Sequence, residues 1–375
     1  MFLAVTSENK KNAAVQIFGL LWMVSLIFFG TSMLFNTKVL SILTQRTSIP
    51  FFNWFAWSQI FILPTYVAEN ILTVDNQPKK IILFGLLSYL APTFVFLLPI
   101  WLGLPLETSY IFLFGYAVFR FLYVVIFVLD EGQWTKDDAL KISSILFDKK
   151  ILPAFILLTV PMLGYFFLNQ FSTVFINGLV LAFAPDKPEI FAQFRYGARE
   201  FPLVLALVTG LSNSYVAALG SGQSTLEDLK MKSVQTAHII FPISILLLLT
   251  SKYLFPIVFN PAFAASVPIF NIYVLLVISR ALFPQTVLLS MKKTNVLLYA
   301  SIAETLFIVV SSTILLKNFG IVGVAWSVVI GFLLEKIILA VVLGRNYKIP
   351  IWHYTLMKIY LGYCVLVVAA YLISQ

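Results

Sequence analysis

Hydrophobic stretches of about 20 residues recur along almost the whole chain, and they limit what it can fold into. A helix needs about 20 apolar residues to cross the roughly 30 Å of hydrocarbon in a bilayer, so each stretch predicts one transmembrane helix. We place about eleven predicted spans at 13–35, 51–72, 81–101, 109–130, 151–172, 190–217, 237–258, 266–289, 295–316, 320–343 and 354–373. The sequence therefore predicts an all-α, multi-pass integral membrane protein.

The basic residues predict how this protein is oriented. If the spans alternate strictly, one side of the membrane receives most of the lysines and arginines of the connections, and the positive-inside rule makes that side cytoplasmic. The basic residues on this side are Lys10, Lys11, Lys79, Lys80, Lys136, Lys141, Lys149, Lys150, Lys230, Lys232, Lys292, Lys293, Arg345 and Lys348, whereas the opposite connections contain only Lys38, Arg46, Lys187 and Lys317. We expect a protein of the cytoplasmic (inner) cell membrane with its N-terminus inside and its C-terminus outside.

Composition excludes several other classes of protein. Apolar residues make up 60% of the chain and charged residues 11%, whereas about a quarter of a soluble domain is charged. The net charge of +9 comes from residues at span ends, so it indicates topology signals and contacts with anionic lipid headgroups rather than nucleic-acid binding. No catalytic motif is recognisable, and Cys364, His238 and His353 have no partners at suitable spacing. We therefore expect no enzyme activity, disulfide, metal or cofactor.

Two stretches of the chain, starting at Pro78 and Met291, resemble each other. Each has a lysine pair, a span, a short outer turn with a glycine, and a returning span that contains a cation. The corresponding residues are Lys79–Lys80 and Lys292–Lys293, Gly103 and Gly320, and Arg120 and Lys336. Since both lysine pairs lie on the same predicted side, the repeats are parallel and predict two lobes related by a pseudo-two-fold axis along the membrane normal. A chance match between apolar segments is the alternative.

This repeat predicts the domain organisation. Residues 1–130 form an N-lobe of four spans, 131–150 a cytoplasmic connection, 151–345 a C-lobe of six spans, and 346–375 an extra C-terminal span. In 131–150 apolar residues alternate with charges at roughly helical spacing. This pattern fits either a helix lying on the membrane surface or a solvated linker.

Three segments carry a resemblance to a known family: FPISILLLLTSKYLFPIVFNPAFAASVPIF from Phe241, the KKTN turn at Lys292, and FGIVGVAWSVVIGFLLEK from Phe319. Residues 241–343 resemble the C-terminal half of the polysaccharide and lipid-linked oligosaccharide flippases of the multidrug/oligosaccharidyl-lipid/polysaccharide (MOP) exporter superfamily, and the resemblance extends over about 13–345. It implies two helical lobes around a cavity that opens alternately to either face. The implied cargo is a sugar repeat unit on a polyprenyl pyrophosphate, and the implied partners are membrane lipids and polysaccharide-synthesis proteins. The family's first two helices have no counterpart here, so we expect a truncated N-lobe.

Charges inside spans are the candidate functional residues, because each costs about 2.5–3.5 kcal/mol at the bilayer centre. Arg120, near the middle of the fourth span, offers a charged fork that suits phosphate oxygens, or it is a structural partner for a carbonyl or an acid. Arg195 and Arg199 lie one turn apart in the sixth predicted span, with Asn213 on roughly the same face. They are predicted to line a cavity, or else to snorkel to headgroups. Arg120, Arg195, Arg199 and Asn213 are thus the predicted substrate-binding residues.

A second group of charges is predicted in the C-lobe. Arg280, Glu304, Glu335 and Lys336 fall at similar depth on three successive spans. This arrangement predicts an ion-pair network that holds the C-lobe together, or one that acts as a gate or a cation-coupling site. Glu200 adjoins Arg199 but points about 100° away from it on a helix, so it is not an obvious partner for that arginine.

The leading functional hypothesis is a flippase that moves a lipid-linked anionic oligosaccharide, or polysaccharide repeat unit, from the inner to the outer leaflet by alternating access. One alternative is a cation-coupled antiporter of the multidrug type. Another is a non-transporting membrane scaffold subunit of polysaccharide synthesis.

Overall fold

The computed structural model of the 375-residue chain describes residues 18–34, 51–74, 78–129, 151–258 and 261–374. Throughout these ranges the structure consists of helices and turns, without a strand. The chain divides into two compact units, Met1–Ala154 and Phe155–Gln375. The predicted connection 131–150 and the basic residues of 1–17 and 35–50 lie outside the described residues.

The first unit is built from short helices that follow the predicted spans. They are α1 (Phe18–Leu34), α2 (Phe52–Thr65), α3 (Val67–Val74), α4 (Pro78–Gly85), α5 (Ala91–Trp101) and α6 (Leu106–Tyr123). π-Helical turns at Leu86–Leu90 and Val124–Leu129 join α4 to α5 and extend α6. The predicted single span 51–72 is interrupted at Tyr66, next to Pro64, which has no backbone N–H to donate.

Apolar packing within this unit brings α1, α3, α4 and the end of α6 together. Its buried cluster contains Phe18, Val67, Ala68, Ile71, Leu72, Phe84 and Val124. Helix α2 packs along α6, and α5 packs on α6 after the turn at Gly103. Gly103 has φ 73°, a conformation that glycine adopts without steric cost, so the turn can be tight.

The second unit is longer and contains the remaining helices. They are α7 (Ile151–Phe183), α8 (Pro188–Gly197), α9 (Pro202–Gly220), α10 (Leu226–Val258), α11 (Val267–Val274), α12 (Leu276–Arg280), α13 (Pro284–Ser290), α14 (Thr294–Asn346) and α15 (Met357–Ser374). Helix α9 packs on α13, α8 on α11, and α15 along α10. The Tyr360 hydroxyl of α15 donates a 2.9 Å hydrogen bond to the carbonyl of Ile278.

Helix α14 is 53 residues long, but it bends sharply at Gly320, where φ is 62° and ψ is −152°. Its arms, 294–319 and 321–346, correspond to two predicted spans, and they pack closely against each other. A Cβ atom on Gly331 would lie 2.5 Å from Cγ1 of Ile308, so the contact depends on the missing side chain. Gly323 likewise faces the carbonyl oxygen of Leu315.

Within the described ranges, eight continuous helical segments are long and apolar enough to cross a membrane. Some of them join consecutive helices, as Lys80–Trp101 joins α4 to α5 and Phe263–Arg280 joins α11 to α12. The kinked α14 is counted as one segment. Helix α1 is shorter. The predicted spans 190–217 and 266–289 are not single helices: α9 and α13 each begin at a proline, which lacks the backbone N–H that would bond to the preceding turn. The chain is an all-α, multi-pass membrane protein.

Candidate functional sites at buried charges

Arg120 is buried in the first unit, with 2% of its surface exposed. It lies in the last turn of α6. Its guanidinium carbon is 5.0 Å from the ring centroid of Tyr66, at the α2–α3 break, and 5.2 Å from that of Phe84 on α4. Each such contact contributes about 0.5–2 kcal/mol, the more so where water is excluded. The aromatic rings therefore replace part of the hydration that this cation gives up.

The hydrogen-bond donors of Arg120 are not all satisfied. Its Nε and Nη2 atoms are buried without a partner among the described residues. The Tyr116 hydroxyl, one turn earlier, instead donates to the carbonyl of Leu87 in the π-helical turn. Leaving donors of a charged group unpaired costs more than about 1–3 kcal/mol, so this edge of the guanidinium is suited to an anionic partner.

In Arg280, at the end of α12, the same two donors, Nε and Nη2, both have hydrogen-bond partners. Its Nε donates to Oε2 of Glu200 at 2.8 Å and its Nη2 to Oε1 at 2.6 Å. The guanidinium carbon also lies 4.5 Å from the ring centroid of Phe332. The predicted network of Arg280, Glu304, Glu335 and Lys336 did not include Glu200, which is the hydrogen-bonded partner of Arg280. Glu200 lies in the break between α8 and α9, and Pro202 was the available signal that the helix does not continue.

The predicted polar stripe of Arg195, Arg199 and Asn213 does not form one helical face. Helix α8 ends at Gly197, Arg199 lies in the connection, and Asn213 belongs to α9. All three side chains are exposed, and Arg199 lies over the Tyr196 ring at 5.7 Å. The prediction of a shared helical face is thus wrong, because the helix breaks between Arg195 and Asn213. A role for these three residues in binding substrate stays a prediction.

Lys336 and Glu335 are adjacent and both buried, with 3% and 1% of their surfaces exposed. Lys336 Nζ donates to Oε1 of Gln285 at 2.9 Å and lies 2.9 Å from Oε2 of Glu335. The approach to Glu335 does not have hydrogen-bond geometry, and neither Glu335 oxygen has a hydrogen-bond partner among the described residues. The contact is an ion pair, with Gln285 as the hydrogen-bonded partner that sequence reasoning missed.

Glu304 lies on the other arm of α14, with 3% of its surface exposed. Its Oε2 atom has no hydrogen-bond partner in the described part of the chain, and the charges that act on it are those of Glu335, Lys336 and Arg280. With Glu200 paired to Arg280 and Glu335 to Lys336, this cluster contains one carboxylate more than its cations balance. Of the four predicted residues, Glu335 and Lys336 form an ion pair with each other, Arg280 pairs with Glu200, and Glu304 has no ion pair among the described residues. In the described ranges, no group of three or more His, Cys, Asp or Glu residues could hold a metal ion.

The repeat predicted from sequence has local counterparts in each unit. Gly103 and Gly320 both adopt positive φ, at 73° and 62°. Arg120 and Lys336 are both buried, at 2% and 3% exposure. The pseudo-two-fold relation between the lobes stays a prediction.

Comparison with known proteins identifies the fold. No family model and no curated protein matches the sequence. Among solved structures, a mutant of the Vibrio cholerae MATE transporter VcmN matches with a TM-score of 0.67 at 15% identity, over 94% of this chain and 83% of that one. A MOP superfamily transporter from Pyrococcus furiosus matches with a TM-score of 0.67 at 15% identity, over 97% and 81%.

A third structure, the lipid II flippase MurJ in an inward closed conformation, matches with a TM-score of 0.52 at 12% identity, over 98% of this chain and 84% of that one. At such identities the comparison concerns the fold and not the cargo. The chain has the fold of the MATE and MOP superfamily transporters.

Proposed function

We propose that this protein is a membrane transporter that moves a lipid-linked anionic oligosaccharide from the inner to the outer leaflet by alternating access. The observation that carries the proposal is the buried, incompletely hydrogen-bonded guanidinium of Arg120. Arg120 is 2% exposed, and its Nε and Nη2 donors have no partner among the described residues. A permanently charged group kept in this state is stabilised by an anion, and an anionic cargo supplies one.

The fold supports transport as the activity. The similar structures are described as MATE transporters, a MOP superfamily transporter and a lipid II flippase. A flippase must offer a polar route to a hydrated headgroup while the lipid tail stays in hydrocarbon, because an isolated ion pays a large penalty on entering the bilayer. Cationic side chains inside an otherwise apolar helical unit meet that requirement.

The charges of the second unit are assigned a supporting role. The Arg280–Glu200 pair connects two interrupted helices, and Lys336 connects Glu335 to Gln285 on α13. Arg195, Arg199 and Asn213 are proposed as exposed contacts for the same cargo or for lipid headgroups. Polysaccharide-synthesis proteins are the proposed protein partners.

The test is a flip assay in liposomes with a fluorescent lipid-linked anionic oligosaccharide. Arg120→Ala should abolish transfer between leaflets while the protein still inserts and unfolds as the wild type does. Lys317→Ala removes an exposed lysine from the second unit and should leave transfer unchanged. Unchanged transfer by Arg120→Ala contradicts the proposal, and a wild-type protein that inserts without flipping favours the scaffold alternative.

A second candidate function is a cation-coupled antiporter, which Glu304 favours. A buried carboxylate without a counter-ion can bind a proton or a monovalent cation, and its neutralisation would then be coupled to movement. In proteoliposomes loaded with a cationic dye, this candidate predicts efflux driven by a proton or sodium gradient and lost in Glu304→Gln. Efflux that is independent of both gradients contradicts it.

A further inference from the structure

We propose that Arg120 binds the carboxylate of an acidic sugar in the cargo, with the sugar ring against the neighbouring tyrosines, and that the lipid pyrophosphate binds elsewhere. This inference rests on the proposed function and specifies the chemistry of its principal site.

Arg120 and Arg280 present the same atoms to very different surroundings. In Arg280 the Nε and Nη2 atoms hold both oxygens of the Glu200 carboxylate, at 2.8 and 2.6 Å. In Arg120 the Nε and Nη2 atoms are the buried donors without a partner in the described residues. The geometry of Arg280 thus shows the group that this edge accepts in the same protein, which is a planar carboxylate bound by two parallel hydrogen bonds.

Aromatic rings make the two sites alike in a second respect. Phe332 lies 4.5 Å from the guanidinium carbon of Arg280, and Tyr66 and Phe84 lie 5.0 and 5.2 Å from that of Arg120. Rings at these distances make cation–π contacts with the guanidinium, and such contacts do not use its N–H donors. The Nε and Nη2 donors of Arg120 are therefore the part of the group left for a ligand, as the same donors bind Glu200 at Arg280.

The local charge favours a ligand with one negative charge. Arg120 acts on both Tyr116 and Tyr89, and the Glu69 carboxylate also acts on Tyr89, so the surroundings already contain one negative charge. A ligand with a single carboxylate adds the least negative charge to them. A pyrophosphate carries more than one negative charge and would leave an excess in a buried place, where each unbalanced charge costs several kcal/mol.

The tyrosines beside Arg120 fit a sugar ring. Tyr66 is 48% exposed and Tyr89 63% exposed, whereas Arg120 is buried. An accessible aromatic ring offers an apolar face for the C–H groups of a pyranose. Together with the guanidinium edge, these residues match a hexuronic acid, which combines a ring with one carboxylate.

The experiment measures thermal unfolding of the purified full-length protein with three soluble probes at matched ionic strength: methyl glucuronide, methyl glucoside and inorganic pyrophosphate. A ligand that binds the folded state raises the unfolding midpoint with its concentration. Methyl glucuronide should raise the midpoint, and the neutral glucoside and pyrophosphate should not. Arg120→Lys, which keeps the charge but loses the fork, should weaken the glucuronide effect about tenfold, and Arg120→Gln should remove it. Lys317→Gln, the matched control, should respond as the wild type does.

Two results would overturn the inference: stabilisation by pyrophosphate that equals or exceeds that by glucuronide, or a glucuronide effect that survives Arg120→Gln. The ranking of the probes on the wild type needs no variant, so a variant that folds poorly does not remove the test. If flipping depends on Arg120 but pyrophosphate is the probe that stabilises the protein, this inference is refuted and the proposed function is not. Glucuronide binding in a protein that flips nothing refutes the proposed function but not the site.

Discussion

Arg280 donates two hydrogen bonds to the carboxylate of Glu200, and the pair joins two places where the chain leaves helical geometry. Glu200 lies in the connection between α8 and α9, and Arg280 precedes the break at 281–283. The side chains are 24% and 19% exposed, so solvent screens the pair only in part. The ion pair fixes the break between α8 and α9 against the C-terminal end of α12, at places where no helical hydrogen bonds hold the backbone.

Removing either member of this pair should destabilise the second unit. We expect Arg280→Ala and Glu200→Ala each to lower the free energy of unfolding by about 2–4 kcal/mol, because the remaining charge loses its partner. The double variant Glu200→Gln with Arg280→Met should recover part of the loss, since no charge is left unpaired. Unfolding of the purified protein in detergent measures these differences, and single variants as stable as the wild type would contradict the assignment.

The same substitution should have opposite effects at the two buried acids of α14. Glu335→Gln takes the ion partner from Lys336 and should lower the free energy of unfolding by about 1–3 kcal/mol. Glu304→Gln removes the carboxylate that has no cation of its own and should leave stability unchanged or raise it. The unfolding midpoints of the two variants, compared with that of the wild type, measure these differences. A larger loss in Glu304→Gln would mean that Glu304, and not Glu335, is the partner of Lys336.

The contact between the two arms of α14 should depend on Gly331. Gly331→Ala puts a methyl group 2.5 Å from Cγ1 of Ile308 and should cost about 1–3 kcal/mol through forced repacking. Gly115→Ala, inside α6, meets nothing within 4 Å and should be neutral or stabilising by up to about 1 kcal/mol, because alanine favours the helix. Equal effects in the two variants would show that the arms are not in contact at Gly331.

The predicted orientation can be tested by labelling single cysteines. In a Cys364→Ser background, Lys230→Cys should be protected from a membrane-impermeant maleimide in intact cells, because positive-inside placement makes it cytoplasmic. Lys317→Cys should be labelled, since it lies near the turn at Gly320, which is predicted to face outside. Both lysines lie at exposed or half-exposed positions, so access of the reagent depends on the side of the membrane. The reverse pattern would invert the predicted topology.

Hydropathy was sufficient to predict most of the helices from the sequence, because a segment that crosses hydrocarbon must satisfy its backbone hydrogen bonds internally and so has to be helical. The spans 295–316 and 320–343 occur as the arms of α14, with the turn at Gly320. The spans 51–72, 190–217 and 266–289 were each predicted as one span, but the structure interrupts them at Tyr66, 198–201 and 281–283, beside Pro64, Pro202 and Pro284. A proline permits either a bend or a break, and packing against neighbouring helices determines which one occurs.

The sequence by itself determined that the chain is a helical membrane protein, and it located Arg120, Glu304, Glu335 and Lys336 inside spans, because the cost of burying a charge can be read from a linear pattern. Only the tertiary structure decided the partners of those charges: Glu200 and not Glu304 for Arg280, Gln285 with Glu335 for Lys336, and aromatic rings for Arg120. The reason is that a hydrogen bond or an ion pair forms over about 3 Å. Helix breaks and packing move side chains by more than that distance, and neither is encoded in the spacing of residues along one helix.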